Sequence, residues 1–241
     1  DAIVSNAHHA KCAHLQVGYV TNIIEVIPNG FDLSQCKRDM SGAAEVRAEL
    51  GIGQNASLVG MVGRFDSQKN HGGFFKAMRI ILNAQSSAHF CLVGTGVSSD
   101  NPIINEMICK NDIDKSRLHL LGHRNDINAI MNAIDVLALP SDGEAFPNVV
   151  GEAMACETPC VVTDVGDCSE IVGETGRTVP AGDMSKFADA VLDLLSMSKS
   201  QGQSIGRSAR ARVSELYNID QVAKKYRELY VKHCYPVKEL R

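Results

Sequence analysis

The sequence predicts an α/β protein built on a doubly wound parallel sheet. Three observations carry that expectation. Short apolar runs recur near residues 58, 89, 118, 136, 160 and 176, each about the length of a buried strand and bounded by turn residues. Between most of them lie segments whose apolar residues repeat at helical spacing, and such alternation gives a parallel sheet covered on both faces. Finally, Arg64, Gly94, His123 and Glu144 each follow one of the runs. In sheets of this kind ligands bind beyond the carboxyl ends of the strands.

The 241 residues suffice for one large domain or two small ones. A hydrophobic content of 44% with 22% charged residues is ordinary for a globular chain. The net charge of −4 argues against a nucleic-acid partner, whose phosphates are met by an excess of Lys and Arg. No apolar run reaches the eighteen or so residues of a membrane span. The chain starts DAIVSNAHHA, with neither a signal peptide nor an initiator Met, so the expectation is a piece of a longer protein. Eight cysteines (12, 36, 91, 109, 156, 160, 168 and 234) show no Cys-x2-Cys spacing. Most sit in apolar segments as small hydrophobes, and the expected setting is a reducing cytoplasm.

Taken in order, Ile3–Val4 should end a strand, and Ser5 or Asn6 should cap a short helix. His8, His9, Cys12 and His14 lie close together, but no carboxylate or fourth ligand follows at useful spacing, so no metal is expected there. Asn29-Gly30 is a turn. A short helix is expected at 43–50, stopped by Gly51. The run 58–63 then leads into RFDSQKN, where Arg64 and Lys69 stand five apart. Asn70 can cap a helix with an apolar face of Phe74, Ala77, Met78 and Ile81. Two cations at a strand's carboxyl end can clamp a diphosphate, Arg as a planar fork and Lys as a point charge; by themselves the same residues suit a solvated loop equally well.

The run 89–94 is the next strand, and Gly94 and Gly96 permit close backbone approach. Asn101-Pro102 opens a helix to about Lys110. Asp112-Ile113-Asp114 spells an Asp-x-Asp metal motif, but it falls between a helix and a strand at the amino end of the sheet, so a turn is expected. The strand 117–122 is followed by His123 and Arg124, and a helix at 127–133 leads to the strand 136–139. From Met184 the chain reads as helical, with stripes of Ala188, Val191, Leu192 and Leu195, then Val222, Tyr226, Leu229 and Tyr230.

The chemistry concentrates in 141–162, SDGEAFPNVVGEAMACETPCVV. A turn at Pro140, Asp142 and Gly143 precedes a short helix with Pro147 at its first position and an apolar stripe of Val149, Val150, Ala153 and Met154. The strand 160–163 closes the stretch. Glu144 lies in the loop and Glu152 in the helix, seven residues between them. The free N–H groups of a helix start suit an anion, yet a carboxylate just ahead would repel a bare phosphate. Glu144 is therefore expected to face sugar hydroxyls, with phosphates nearer the helix amides.

The stretch EAFPNVVGEAMACETPCVVTDVG resembles the Glu-x7-Glu signature of retaining, nucleotide-sugar-dependent group 1 glycosyltransferases of the GT-B architecture. The chain departs from that pattern at Ala145 and Asp167, where the family usually or often has glycine. The resemblance implies three parts: residues 1–25, a remnant of an N-terminal acceptor domain and linker; 26–213, a Rossmann-like nucleotide-sugar-binding domain, the C-terminal half of a GT-B fold; and 214–241, a helix crossing back toward the first domain. It implies catalytic roles for Glu144, Arg64 and Lys69. Donor contacts would come from these three with Gly63, Gly94, His123, Arg124, Ala145, Phe146, Asn148, Val149 and Glu152. The implied reaction transfers a hexosyl group from a UDP- or GDP-sugar, with retention, to a carbohydrate or lipid-linked acceptor in polysaccharide or glycolipid biosynthesis. No cofactor, metal, nucleic acid or transmembrane segment is implied, and any peripheral membrane contact would run through the N-terminal domain. The alternatives are a nucleotide-sugar-binding unit inactive alone and a GT-B nucleotide-sugar epimerase. A phosphorylase would need a pyridoxal-bearing lysine, for which no clear candidate exists.

Overall fold

The computed structural model describes residues 2–53 and 55–234. The first elements are β1 (Ile3–Ser5), α1 (His8–Gln16) and β2 (Ile24–Val26), and β1 and β2 form a small parallel sheet of their own. Helix α2 (Met40–Glu49) then leads into the main unit: β3 (Leu58–Val62), α3 (His71–Ala84), β4 (His89–Val93), α4 (Pro102–Lys110), β5 (Leu118–Leu120), α5 (Ile127–Ala133), β6 (Val136–Leu139), α6 (Asn148–Ala155), β7 (Cys160–Thr163), α7 (Cys168–Val172) and β8 (Arg177–Val179). Helices α8 (Met184–Ser196), α9 (Lys199–Leu216) and α10 (Ile219–Cys234) follow.

Strands β3 to β8 pair in parallel in the order β5-β4-β3-β6-β7-β8. Numbered within the sheet, that is 3-2-1-4-5-6, the doubly wound order in which the chain reverses direction between the first and fourth strands. Here the reversal lies between β3 and β6. The four inner strands β4, β3, β6 and β7 are almost wholly buried because each face is covered, while the edge strands β5 and β8 are only partly so. Val59, Met61, Phe90 and Leu92 point into a core shared with α3, α4 and α8. Leu58, Cys91, Val93, Leu137 and Leu139 point into the other, shared with α2, α5, α6, α7 and α9.

Local chemistry sets most helix starts. Asn70 caps α3 by accepting from the Gly73 N–H at 2.8 Å, and Asn101 caps α4 ahead of Pro102. Three expectations need correction. Helix α2 begins at Met40 rather than residue 43, because Asp39 accepts from the Gly42 N–H. Pro147 is the N-cap of α6, not its first helical residue: its ψ of 99° is extended. Neither Ser5 nor Asn6 caps α1; the N-cap is Ala7, and the His8 and His9 N–H groups donate instead to Asp167, far along the chain.

The tail packs much as its periodicity suggests. Phe187, Ala188, Val191 and Leu194 bury one side of α8, while Leu192 and Leu195 are half-buried. Helix α10 lays Val222 and Leu229 on Ile27, with Ala2, Val4 and Tyr226 around them, so the last described helix is seated on the small β1–β2 sheet. Residues 235–241 of the expected tail lie outside the described residues.

Candidate functional site

Two loops leave the sheet at its reversal point, 63–70 after β3 and 140–147 after β6. They are stitched together by polar contacts that close-packed strands alone would not supply. The Asp142 N–H donates to the Gln68 carbonyl at 2.8 Å, and Asn70 Nδ2 donates to Asp142 Oδ1 at 2.8 Å. Between the loops Lys69 Nζ lies 2.6 Å from Glu144 Oε1. The same oxygen accepts from Ser141 Oγ at 2.7 Å. The pair is largely withdrawn from solvent, the Lys69 side chain 18% exposed and that of Glu144 9%. Each holds the other's charge in a place where either alone would be costly.

A third loop flanks these. Gly63 N–H bonds to Val93 O and Gly94 N–H to Gly122 O, at 2.8 and 2.7 Å. Gly94 has φ +151°, and a Cβ there would stand 2.1 Å from the Gly63 carbonyl oxygen, so only glycine lets the ends of β3 and β4 approach this closely. Arg64 is left mostly free: its side chain is 65% exposed, with Nε 3.2 Å from Asp66. Asp66 is held below the ordinary carboxylate range by the Gln68 N–H and by Arg64. Beneath this loop His71 is 3% exposed and its ring meets Phe65 at 5.0 Å. No side chain pairs with either ring nitrogen among the described residues, and the backbone of Asp66 is the polar group that favours the protonated ring. Burial lowers the pKa of this imidazole to about 4, so it is neutral near pH 7.

Glu152 occupies a different setting. With Asn148 it lines a cavity of about 820 Å³ between α6, residues 28–31 and the α10 side chains Tyr226, Arg227 and Tyr230. Burial raises its pKa above the usual carboxylate value, and no side-chain partner for it is found among the described residues. Asn148 is exposed and accepts from Asn29 Nδ2 at 2.7 Å. Lys69 and Glu144 do not line this cavity, so the hollow beside Glu152 and the Lys69–Glu144 pair are two features rather than one pocket. With Pro147 as N-cap no side chain caps α6, and its first amides remain available to an anion.

The remaining expected residues divide. Ala145 is exposed, and its carbonyl accepts from the Asp167 N–H at 2.9 Å. Val149 is half-buried against the core. The Phe146 ring is turned inward, stacked on Phe31 at 6.2 Å and edge-on to Tyr217 at 5.5 Å, so only its backbone remains at the loop. Arg124 donates to both Glu49 oxygens and both Asp126 oxygens. That engagement raises its already high pKa and fixes its side chain to α2 rather than leaving it for a ligand. His123 is exposed, 3.2 Å from Asn125. Ser141 and Gln68 join the contacts between the two loops, and Asn29 and Arg227 line the cavity, places that no local sequence pattern marks.

No group of three or more His, Cys, Asp or Glu able to hold a metal is found among the described residues. Asp112 pairs with Arg79 at 3.0 Å and Asp114 accepts from Ser116. Cys12, Cys36, Cys91, Cys109, Cys156, Cys160 and Cys168 are free, and burial pushes the Cys91, Cys156 and Cys168 thiols up to about 12. No helix of the described residues is long and apolar enough to cross a membrane.

Residues 56–197 match the family described as "Glycosyl transferases group 1". The UDP-Gal:alpha-D-GlcNAc-diphosphoundecaprenol alpha-1,3-galactosyltransferase of Escherichia coli is 30% identical over 215 residues, 86% of this chain and 54% of that protein. The N-acetyl-alpha-D-glucosaminyl L-malate synthase of Bacillus anthracis is 28% identical over 80% of this chain and 49% of its own length. The chain thus spans about half the length of the curated relatives it matches. Among solved structures, Anabaena Alr3699/HepE in complex with UDP and glucose superposes with a TM-score of 0.87 at 25% identity, covering 96% of this chain and 63% of that one.

Proposed function

The chain belongs to the group 1 glycosyltransferase family and its doubly wound sheet is the C-terminal half of a GT-B fold, and from that premise we propose that it binds a UDP-sugar for transfer with retention of configuration. The observation that carries the reading is the Lys69–Glu144 pair at the sheet's reversal point. Lys69 would be the cation for a diphosphate and Glu144, beside it, the acceptor for sugar hydroxyls, on the loop that leads into the uncapped start of α6. Lys69 and Arg64 would neutralise the charge that grows on the departing diphosphate. Glu144, an acceptor when ionised, would hold the transferred sugar, and Glu152 would take the ribose hydroxyls from the cavity side. Gly63, Gly94, Ala145 and the amides of Asn148 and Val149 would give backbone contacts, and His123 would border the base. The Phe146 ring and the Arg124 side chain are assigned to the frame instead.

The preference for uridine rests on the relatives: one solved structure holds UDP, and one relative is named for UDP-Gal. Residues 26–213 are proposed as the donor-binding unit, 1–25 as the end of an acceptor-side domain and 214–241, of which α10 (Ile219–Cys234) is the described helix, as the part that returns to that domain. The acceptor would be a carbohydrate or a lipid-linked sugar, no metal would be required, and buried thiols of high pKa suit a reducing cytoplasm. The test is calorimetric titration of the chain with UDP, GDP, ADP and their sugars in excess chelator. Tighter binding of UDP and a UDP-sugar is expected; a strict magnesium requirement would sink the metal-free reading. For retention, the product anomer formed by the full-length enzyme decides. Conversion of a nucleotide sugar without any acceptor would favour an epimerase.

A further inference from the structure

Asp167 stands at the N-cap position of α7, where an aspartate ordinarily accepts from its own helix, yet its side chain makes no such bond. The carboxylate is turned away and buried, the residue 6% exposed. It accepts from the His8 N–H at 2.6 Å and the His9 N–H at 2.8 Å. These are the first two amides of α1, whose own N-cap, Ala7, has no acceptor to offer. One helix has lost its cap residue to another, 159 positions away in sequence. An exposed contact between His8 and Glu170 at 3.7 Å runs beside it.

The backbone of the same residue grips the other side. The Asp167 N–H donates to Ala145 O at 2.9 Å. Next to it Gly166, at φ +56°, lies so close that a Cβ would stand 2.4 Å from the Glu144 carbonyl oxygen. The loop after β7 is therefore moulded onto the backbone of residues 144–145, and its terminal side chain holds the start of α1. We propose that Asp167 is a positioning residue, a latch joining the N-terminal segment through α1 to the loop that carries Glu144. Movement of α1 then reaches the backbone at 144–145 through one residue. What that loop does for a nucleotide sugar rests on the function proposed above; the latch itself does not.

The test is amide hydrogen exchange by NMR on the 241-residue chain. D167A should speed exchange at His8 and His9 by about tenfold, the effect of a lost cap on a local opening equilibrium. D167N, which keeps the volume and one acceptor, should fall between, and it keeps the test readable should D167A fail to fold. The decisive variant is H8P, which leaves residue 167 untouched. Proline is tolerated at the first helical position, and Ala7 is already extended at φ −142° and ψ 143°, as a residue before proline must be. One donor to the carboxylate is lost while the helix survives. H8P should speed exchange at His9 and also at the Asp167 amide, which reports the bond to Ala145. Unchanged exchange at His8 and His9 in both D167A and D167N overturns the latch, and an unchanged Asp167 amide in H8P overturns its coupling to the loop. UDP-sugar titration of the wild-type chain separates the two proposals: no binding there sinks the donor reading, while the exchange results still decide the latch.

Discussion

The two ends of the six-stranded sheet both carry polar side chains, and they use them differently. At the amino end the groups satisfy one another. Arg47, buried on α2, donates to the carbonyls of Ala133, Gly53 and Ala56 and to Asp135 Oδ2, which also accepts from the Leu58 N–H. Beside it Arg117 donates to His89 Nε2 at 2.8 Å, which leaves Nδ1 of that ring to donate to His119 Nε2 at 3.1 Å. At the carboxyl end the accounting is incomplete. Glu152 has no side-chain partner among the described residues, His71 has only the backbone of Asp66 beside it, and Arg64 reaches into solvent. Buried polar groups are normally satisfied, and exceptions ask for an explanation. A closed network stabilises a fold; an open one is where a ligand can complete the bonding.

If that contrast is right, the largest loss of stability should come from the end without a ligand. Arg47→Ala removes a guanidinium that closes several carbonyls at once, and unfolding free energy should drop by about 3 kcal/mol or more. UDP affinity of the folded fraction should stay within about twofold. Urea unfolding and calorimetry read the two quantities, and a variant that keeps its stability but loses UDP would invert the comparison.

Next in size is an acid effect from the carboxyl end. His71 has a folded pKa of about 4, against about 6.5 when unfolded. Between those values the unfolded chain binds more protons, so stability rises with pH across that window and is lost as pH falls through it. The full effect is up to about 3 kcal/mol. His71→Phe keeps a ring against Phe65 and should flatten the pH dependence of the urea midpoint. If the slope persists, His89 and His119, whose pKa values burial also lowers, carry it instead.

The contrast also explains what was legible in the sequence. Strand runs and the Asn70 and Asn101 caps depend on neighbours a few residues away, and they could be read directly. The closing of polar groups depends on residues brought together by the fold. Lys69 meets Glu144 across 75 positions, Arg124 meets Glu49 across 75, and Asp167 meets His8 across 159. No local pattern encodes those meetings. Phe146 shows the same limit from another direction. Its place within a motif suggested a ligand contact, but Phe31, from the segment between β2 and α2, and Tyr217, at the end of α9, enclose its ring.

Lys69→Ala probes a pair at the carboxyl end that is closed and largely withdrawn from solvent. A charge-assisted contact to phosphate is worth about 1.5–3 kcal/mol, so nucleoside diphosphate binding should weaken by about 10- to 100-fold. The nucleoside alone should bind nearly as before. Equal losses for both would show that Lys69 serves only Glu144.

The smallest expected effects separate the two glutamates, and they test the contrast most finely, because one carboxylate is partnered and the other is not. Glu144 already accepts from Lys69 and Ser141, so Glu144→Gln removes a charge that restrains Lys69. Free UDP should then bind as well as before or slightly better, while a UDP-sugar, deprived of its acceptor, should weaken by about tenfold. Glu152 has nothing to release. Glu152→Gln should weaken UDP and the UDP-sugar alike, again by about tenfold. Because burial raises its pKa, wild-type UDP affinity should also decline on acidification, as the protonated carboxyl loses acceptor capacity, and Glu152→Gln should remove that dependence. Calorimetric titration of both variants with both ligands, repeated at two pH values, reads every arm. A Glu144→Gln variant that loses free UDP as severely as Glu152→Gln does would mean the partnered carboxylate is no less committed to the nucleotide than the open one. The line drawn between closed and open groups would then fail at the site where it matters most.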